Sequence, residues 1–356
     1  MTARLEIDLG AIADNWRYLA GLSKGETAAV VKADSYGLGA AQVAPVLAQA
    51  GCKTFFTAHL AEAVALRPLV PQARILVLNG LAPHAAAEFI AHDLTPALVS
   101  LQDLSVWRAA AARLERKLAA VLHLETGMNR LALGKRELAA LHEDRTQLDG
   151  VAVDMVMSHL LAADAPEDAH NQRQLQDFLA MAARFPVAKR SIANSPGVFL
   201  GADFHLDLTR PGAALYGLNP SPAQPRRMRP VVRLSAPILQ IRDIQRGETV
   251  GYGASWTAQR PSRIATIGVG YADGLHRTLS NRGTAYFDDT PVPLVGRVSM
   301  DLAIFDVTDV PANPGDPLVL LDARRGADEL ADAAGTIGYE ILTSLGRRYQ
   351  RRYINA

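Results

Sequence analysis

The residue with the clearest potential for chemistry is Lys32, which follows a short apolar run and precedes the loop of residues 34–39. An amine held at the end of a buried strand loses hydration, which disfavours the charged ammonium form and lowers the pKa. The neutral amine is a nucleophile that can form a Schiff base with a carbonyl group. Lysines at the rim of a sheet also commonly extend a charged head into solvent. From residues 28–39 alone, the lysine with its head in solvent is the favoured interpretation.

Further polar side chains follow apolar runs later in the chain. They are Arg130, His159, the pair Asn194 and Ser195, and Arg210. Taken singly, each arginine could form an ion pair in a loop, and His159 could be a core histidine with its hydrogen bonds satisfied. If the runs are parallel strands of one barrel, their carboxyl ends meet at a single rim, where enzymes of that architecture carry out their chemistry. These side chains would then surround one site.

The elements that must hold these residues are eight β-rich apolar runs, which alternate with alanine-rich helical patterns. They occupy residues 28–33, 54–58, 75–79, 94–99, 119–125, 151–159, 188–193 and 204–209. Eight such units predict a (β/α)8 barrel of the TIM type, an α/β fold. An open doubly wound sheet is less favoured, because it would use fewer strands and carry a glycine-rich fingerprint after the first one.

A proline-rich segment separates the eight runs from a second style of sequence. Residues 219–230 contain four prolines and cannot continue a helix. Short strand patterns divided by glycine and proline turns follow near residues 231–234, 264–269, 303–307 and 318–321, with one late helical pattern. We therefore predict a barrel domain over residues 1–225 and a mainly β C-terminal domain over residues 226–356.

The loops after the seventh and eighth runs have features of a phosphate-binding site. Ser195 precedes Pro196, the pattern of an N-cap and a first-turn proline, so that backbone N–H groups and a hydroxyl would face an anion. Gly212 permits a close approach of the backbone. An ordinary capped helix would have the same pattern. A reactive lysine across the barrel mouth from a phosphate cradle is, however, the arrangement that pyridoxal phosphate requires.

Composition limits the classes of partner. The 356 residues include 37 basic and 36 acidic side chains, so no net field attracts nucleic acid or an anionic membrane. No uncharged apolar run approaches the roughly 18 residues of a membrane-spanning helix. The single cysteine, Cys52, excludes an internal disulfide, and the chain opens without a signal-peptide pattern, so we expect a cytoplasmic protein. We expect a small-molecule partner and no metal site.

Eight short motifs, in order, resemble those of the alanine racemase family of barrel-type pyridoxal phosphate enzymes. In the barrel they are residues 29–39, 126–131, 158–159, 193–195 and 210–217, and in the second domain 252–254, 270–274 and 296–301. The resemblance extends over essentially the whole chain. It implies pyridoxal phosphate as the cofactor, racemisation of alanine that supplies D-alanine for peptidoglycan, and a homodimer with shared active sites.

The resemblance also implies roles for individual residues. Lys32 would hold the cofactor as a Schiff base and act on the D-face of the substrate Cα–H, while Tyr252 of the partner subunit would act on the L-face. Racemisation takes a proton from one side and returns one on the other, so two bases are the simplest arrangement. Arg210 would face the pyridine nitrogen and disfavour its protonation. The other implied cofactor contacts are Tyr36, His159, Asn194, Ser195, Gly212 and Ala213, and the implied substrate and entrance residues are Arg130, Tyr271, Arg297, Met300 and Asp301.

Two positions depart from the family pattern. His123 stands where many members carry a lysine that becomes carbamylated and holds the arginine equivalent to Arg130. We therefore expect no carbamate, and His123 would support Arg130 as a neutral hydrogen-bonding partner or beside a bound anion. A family tyrosine that touches the cofactor phosphate aligns loosely with Arg347, so that Arg347 or Tyr349 would take its place.

Three alternatives share part of this pattern. A serine or broad-specificity racemase would contain nearly the same motifs, although such relatives are usually exported. A barrel-type amino acid decarboxylase would carry a catalytic cysteine late in the second domain, whereas Cys52 lies in the first. A non-catalytic pyridoxal phosphate carrier consists of the barrel alone and has no use for Tyr252, Tyr271 or Met300.

Overall fold

The computed structural model describes residues 2–186, 188–221 and 228–355. Its helices are α1 (Leu9–Leu22), α2 (Lys32–Tyr36), α3 (Ala40–Gln49), α4 (Leu60–Leu66), α5 (Ala86–Ala91), α6 (Leu101–Arg113), α7 (Lys135–Glu143), α8 (Ala169–Ala182), α9 (Ala327–Ala334) and α10 (Gly338–Ser344). Within these described residues, no helix has the length and apolar character needed to cross a bilayer.

The first group of strands forms the barrel. These strands are β2 (Glu26–Thr27), β3 (Ala29–Val30), β4 (Thr54–Thr57), β5 (Arg74–Val77), β6 (Thr95–Leu98), β7 (Leu118–His123), β8 (Val151–Met157), β9 (Lys189–Ser191) and β10 (Leu208–Thr209). Seven of them form one parallel sheet in the order β3-β4-β5-β6-β7-β8-β9. Strands buried on both faces carry continuous apolar runs, which is why the sequence reveals them.

Strand β10 closes the ring. It pairs in parallel with β2, which leads directly into β3. Next to β10, the backbone N–H groups of Asp207 and Arg210 donate to the carbonyls of Arg190 and Ala193, at 3.1 and 2.9 Å. All eight predicted runs therefore contain a barrel strand, and the TIM-type fold is confirmed.

The second group of strands builds a mainly β domain. These strands are β1 (Arg4–Asp8), β11 (Val232–Ile244), β12 (Thr249–Val250), β13 (Trp256–Thr257), β14 (Ser262–Ile267), β15 (Thr284–Phe287), β16 (Thr290–Pro293), β17 (Ala303–Asp306), β18 (Pro317–Leu321) and β19 (Gln350–Ile354). The main sheet runs β16-β15-β18-β11-β1-β19, and β14 joins it by pairing with both β11 and β17. The predicted β-rich second domain is confirmed, and α9 and α10 account for its late helical pattern.

Strand β1 lies in the second domain's sheet, although residues 4–8 were included in the predicted barrel domain. It pairs antiparallel with β11 and parallel with β19. Its inward side chains Leu5 and Ile7 are fully buried there. The predicted boundary at residue 225 falls outside the described residues, so the domain limits stay a prediction.

Most buried apolar side chains of the two domains form one continuous cluster, and Val250, Ile264 and Val295 form a small separate one. The large cluster includes Phe55 and Phe178 of the barrel and Phe305 and Leu320 of the second domain. A contiguous core of this kind identifies elements that pack as a unit. The C-terminal helices are thereby held at a fixed position beside the barrel.

Candidate active site

A cavity of about 1140 Å³ lies at the carboxyl ends of the barrel strands, and part of helix α10 lines it. This volume is ample for a cofactor together with a small substrate. All nine barrel residues that the sequence pointed to line the cavity: Lys32, Tyr36, Arg130, His159, Asn194, Ser195, Arg210, Gly212 and Ala213. The structure thus brings together side chains that lie between residues 32 and 213 of the sequence.

Lys32 opens a turn of left-handed backbone. Helix α2 has φ angles of 53 to 56° from Ala33 to Tyr36. For L-residues this conformation costs roughly 1–2 kcal/mol each, so surrounding contacts must hold it in place. The carboxylate of Glu62 supplies such contacts, because it accepts hydrogen bonds from the N–H groups of Ala33 (2.6 Å) and Ala58 (2.8 Å). The turn directs both Lys32 and Tyr36 into the cavity.

The amine of Lys32 is shifted toward its neutral form. Burial lowers the pKa of Lys32, the positive charge of Arg130 lowers it further, and the carboxylate of Glu62 acts in the opposite direction. Since the pKa is lowered overall, the neutral amine is more accessible than in an exposed lysine. This is the electrostatic setting expected for a nucleophilic amine.

The loops after β9 and β10 meet beside Tyr36. The Ser195 hydroxyl accepts hydrogen bonds from the N–H groups of Gly212 (2.9 Å) and Ala214 (3.2 Å). The Tyr36 ring packs on that of Tyr216, with centroids 4.7 Å apart, and the Tyr216 hydroxyl donates to the Val30 carbonyl (2.9 Å). Hydroxyl and backbone groups therefore converge on one corner of the cavity.

Ser195 is not the capping residue that its position before Pro196 predicted. No side-chain hydrogen bond from Ser195 caps the 3₁₀ helix Pro196–Phe199, and its own backbone is already helical, with φ −51° and ψ −56°. A capping side chain requires an extended backbone at that position. Asn194 acts instead, because its Oδ1 accepts from the Gly197 N–H at 3.0 Å. The Ser195 hydroxyl is consequently available to the turn at Gly212.

Arg210 is a buried cation without an acidic partner among the described residues. Only 5% of the residue is exposed. Its guanidinium donates to the Ser191 hydroxyl and to the carbonyls of Ser158 (2.5 Å) and Ile192 (3.5 Å). Burial lowers the pKa of Arg210 to about 10, so it stays charged at neutral pH. Its charge is free to act on whatever occupies the cavity.

Two histidines beside Arg210 are held neutral. Burial and the positive charges of Arg210 and Arg130 lower the pKa of His123 to about 3. The same causes keep the pKa of His159 well below its ordinary value. Within the described part of the chain, the buried Nδ1 atom of His123 has no hydrogen-bond partner. The cavity therefore contains a polar atom that a bound group could satisfy.

The second-domain candidates lie outside this cavity. Tyr252, Tyr271 and Met300 are large side chains with 72, 44 and 54% of their surface exposed. The Tyr271 N–H donates to the Ser299 carbonyl at 3.0 Å, so Tyr271 and Met300 belong to neighbouring turns. None of these side chains reaches the cavity of its own chain.

Arg297 and Asp301 lie on the same exposed surface. The Arg297 guanidinium packs against Gly253, where a Cβ atom would lie 3.1 Å from its Nη1, and it is thus next to Tyr252. The Asp301 carboxylate accepts from Arg348 Nη1 at 2.7 Å, and Arg348 also pairs with the buried Asp273. The predicted substrate residues of the second domain form a separate group on the surface.

Tyr339 is a site residue that the sequence analysis missed. It lies on α10 and lines the cavity, with its ring centroid 6.1 Å from that of Tyr36. Arg347 lines a different depression, beside residues 33–42, and the buried Tyr349 does not line the cavity either. The C-terminal aromatic side chain beside Tyr36 is therefore Tyr339. In the sequence, Tyr339 is recognisable only as a tyrosine within the late helical pattern, which does not indicate that it reaches the cavity.

Comparisons with known proteins agree with this geometry. Two family models match the chain, "Alanine racemase, N-terminal domain" over residues 7–220 and "Alanine racemase, C-terminal domain" over residues 231–353. The match through both domains does not favour a carrier made of the barrel alone.

Proteins similar in sequence to this chain are also alanine racemases. The chain is 55% identical over 348 residues to an alanine racemase of Acidiphilium cryptum, covering 98% of this chain and 97% of that protein. It is 47% identical over 358 residues to a catabolic alanine racemase of Agrobacterium fabrum, with coverage of 99% and 92%.

Solved structures extend the likeness to three dimensions. An alanine racemase from Bartonella henselae with covalently bound pyridoxal phosphate has a TM-score of 0.95 at 42% identity, covering 99% of this chain and 100% of that chain. A biosynthetic alanine racemase from Pseudomonas aeruginosa has a TM-score of 0.93 at 34% identity, covering 99% of each chain. This chain belongs to the alanine racemase family, pyridoxal phosphate-dependent isomerases that interconvert the L and D forms of alanine.

Proposed function

We propose that this chain interconverts L-alanine and D-alanine with Lys32 and Tyr252 acting on opposite faces of the substrate. The observation that supports this most strongly is the meeting, in one cavity, of a lysine of lowered pKa, a cradle of hydroxyl and N–H groups, and a buried arginine with no carboxylate partner among the described residues. Each of these has a separate use in pyridoxal phosphate chemistry.

The residues present fit pyridoxal phosphate. The phosphate would be held by the hydroxyls of Tyr36 and Ser195 and the backbone at Gly212 and Ala213. At Gly212 the absence of a side chain lets the backbone come close to the Tyr36 hydroxyl. The buried Nδ1 of His123 marks a further polar position with no partner in the described structure. Bound there, the cofactor withdraws electrons from the substrate Cα and makes its proton acidic.

Lys32 supplies the first of the two proton-transfer groups. Because its pKa is lowered, the amine loses its proton near neutral pH at a smaller free-energy cost than an exposed lysine does, which favours a role in acid–base catalysis. Tyr252 would hold or release the proton on the opposite face through its hydroxyl. Two groups on opposite faces allow inversion at Cα without rotation of the substrate.

Arg210 would restrict the reaction to proton transfer. With the cofactor bound, the charged guanidinium would disfavour protonation of its ring nitrogen and so weaken the electron withdrawal that the ring would supply. Reactions other than proton transfer would then be suppressed. Arg130 would bind the carboxylate of the substrate, together with the backbone at Met300 and Asp301. His159 would lie between Arg210 and Tyr252.

A homodimer with shared sites is part of this proposal. Tyr252, Tyr271 and Met300 are exposed in the single chain and do not line its cavity. Contiguous exposed apolar side chains commonly mark an interaction surface, and a two-fold head-to-tail pairing would place this surface of each subunit over the barrel mouth of the other. Arg297 and Tyr271 would then line the entrance.

We further propose that the enzyme works in the cytoplasm, where a single buried cysteine fits the reducing conditions, and that it supplies D-alanine for peptidoglycan. The direct test of the reaction is to incubate purified protein with L-alanine and pyridoxal phosphate and to follow the loss of optical rotation. Racemisation supports the proposal. A protein that binds the cofactor but leaves the rotation of alanine unchanged would instead be a carrier or act on another amino acid.

Shared sites can be tested by mixing two inactive variants. A dimer of Lys32→Ala and Tyr252→Phe subunits contains one site with both residues intact, if Tyr252 serves the partner. Unfolding and refolding an equal mixture should recover about one quarter of the wild-type rate, because half of the dimers are mixed and each has one intact site. No recovery in refolded mixed dimers would show that both residues come from the same chain.

A further inference from the structure

The loop that carries Arg130 lies between two cavities. On one side Arg130 and Leu131 line the active-site cavity. On the other side Thr126, Asn129 and their neighbours line a second cavity of about 670 Å³. Residues 126–131 of this loop are therefore flanked by cavities on two sides, whereas Leu133 at its end is buried in the core. Hydrogen bonds can then contribute to the position of Arg130.

Backbone hydrogen bonds fix the two ends of this loop. The Glu125 N–H donates to the Leu133 carbonyl at 3.1 Å, and the Leu133 N–H donates to the His123 carbonyl at 2.7 Å. Within the loop, the Glu125 carboxylate accepts from the N–H groups of Gly127 and Asn129. These contacts shape the loop but do not tie its middle to the rest of the barrel.

Gln174 of helix α8 ties the first part of the loop, at Thr126, to the rest of the barrel. Only 2% of the residue is exposed. Its amide nitrogen donates hydrogen bonds and its amide oxygen accepts one, which fixes the orientation of the side chain. The Nε2 group donates to the Thr126 hydroxyl and to the His159 carbonyl, both at 3.0 Å, while Oε1 accepts from the Leu161 N–H at 2.9 Å. One side chain thus binds the Arg130 loop and the end of strand β8 together.

The same network continues to Arg210. The Thr126 hydroxyl lies 2.6 Å from the Ser158 hydroxyl, and both are buried. The Ser158 carbonyl in turn accepts from Arg210 Nη2 at 2.5 Å. Buried, fully paired networks of this kind rigidify the elements that they join. The polar network therefore connects the three segments that carry Arg130, His159 and Arg210.

We propose that Gln174 is a positioning residue that sets the place of Arg130 relative to His159 and Arg210. It does not line the active-site cavity, so it acts only through Thr126 and the end of β8. The expected effect on substrate binding rests on the proposed role of Arg130, whereas the effect on the loop itself does not.

The test compares two near-isosteric variants in the cofactor-loaded enzyme. Gln174→Met removes the amide, and the matched control Asn171→Leu removes another buried amide one turn earlier on α8. Asn171 donates to the carbonyls of Ala162 and Ala165, at 3.2 and 3.0 Å, and has no hydrogen bond to the Arg130 loop among the described residues. Both variants should lose thermal stability by a similar amount.

Amide hydrogen exchange separates the two variants. We expect exchange in residues 125–134 to rise about tenfold in Gln174→Met, as for the loss of the one buried hydrogen bond to Thr126, and to stay at the wild-type rate in Asn171→Leu. The KM for L-alanine should rise in Gln174→Met more than kcat falls. Exchange in this segment that matches the wild type, or that rises equally in both variants, would overturn the proposal.

Thr126→Val removes the other partner of the Gln174–Thr126 hydrogen bond. If Gln174→Met does not fold, Thr126→Val is the variant that tests the proposal. It should raise exchange in residues 125–134 as well, and the double variant should add little to either single one. Fully additive effects would show that Thr126 and Gln174 act separately, against the proposal. Faster exchange with an unchanged KM would support the role of Gln174 and contradict the proposed role of Arg130.

Discussion

Gly212 lies so close to Tyr36 that a Cβ atom at position 212 would come within 2.4 Å of the tyrosine hydroxyl oxygen. Real Cβ atoms essentially never approach another heavy atom below 3.0 Å. The close approach of the chain to the hydroxyl therefore requires glycine at this position.

Gly212→Ala should weaken cofactor binding. The added methyl group must displace either the Tyr36 hydroxyl or the turn at residues 212–214, and overpacking of this kind costs about 1–3 kcal/mol. We expect the dissociation constant for pyridoxal phosphate, measured by absorbance titration, to rise about tenfold or more. Gly21→Ala is the control, because nothing lies within 4 Å of a Cβ at that helical position. Equal affinities in the two variants would contradict a phosphate site at Gly212.

Lys32→Ala should abolish the absorbance band of the covalently attached cofactor. The variant keeps Tyr36, Ser195 and Arg210, so some cofactor should remain bound without a covalent link. Reduction with borohydride followed by mass spectrometry checks this: the wild type should gain the mass of the reduced cofactor and the variant should not. The exposed Lys53 provides a control, and Lys53→Ala should behave as the wild type. A retained adduct in Lys32→Ala would assign the cofactor to another amine.

Tyr252→Phe should keep the covalent absorbance band and lose proton exchange on one face of the substrate. Removal of a positioned acid–base group typically costs about 10² to 10⁴ in rate. The measurement is deuterium incorporation from D2O into alanine, begun separately from the L and the D isomer, and we expect loss of the exchange that starts on the L-face. Exchange at the wild-type rate from both isomers would exclude Tyr252 as a base.

His123 should make the folded protein sensitive to acid. The pKa of His123 is lowered to about 3 in the fold from an ordinary value of 6.5. Between these values the unfolded chain binds a proton that the folded protein does not, so the free energy of unfolding falls as the pH falls through this window. The stability that depends on a neutral His123 is fully present above pH 6.5. Within the window, the free energy of unfolding changes by up to about 1.4 kcal/mol per pH unit.

Replacing this histidine should flatten the pH dependence. His123→Gln removes the titrating ring, so urea unfolding between pH 4 and 6.5 should show a shallower slope than in the wild type by about one proton. The same slope in both proteins would mean that His123 is already protonated in the fold or buried equally in the unfolded chain.

Cys52 should be unreactive in the native protein. It is 3% exposed, and burial raises the pKa of its thiol to about 12. Because the thiolate is the reactive form, iodoacetamide should modify the native protein only negligibly over a time that fully modifies protein unfolded in urea. Mass spectrometry gives both extents. Rapid modification of native protein would require an opening of the barrel near residue 52.

The barrel strands and the rim residues could be predicted from the sequence for one physical reason. All four residues of β4 and of β6 are buried, so both faces of these strands carry residues that avoid water. Once such runs are located, Lys32 and Arg210 follow from their position at run ends, because the fold gathers those ends at one rim.

Other features have no local sequence signal. The left-handed turn from Ala33 to Tyr36 contains no glycine, and Asp34 is its one residue of a type that tolerates such a backbone. Tyr339 reaches the cavity only because the second domain places α10 beside the barrel mouth, and the pattern of that helix does not reveal its neighbours. In β1, alternation identifies Leu5 and Ile7 as inward-facing but not the sheet to which they belong.

The pairing of β1 has a consequence for how the chain is assembled during synthesis. Residue 4 lies opposite residue 235 on one side and residue 350 on the other. The strand therefore leaves the ribosome before any barrel strand, yet both its neighbours emerge only after the barrel has been made. Contacts between such distant positions form slowly. The barrel can therefore close first, and β1 pairs with β11 and β19 only when the second sheet forms at the end. A late exposed edge of this kind is where we would expect a growing chain to be most vulnerable to aggregation.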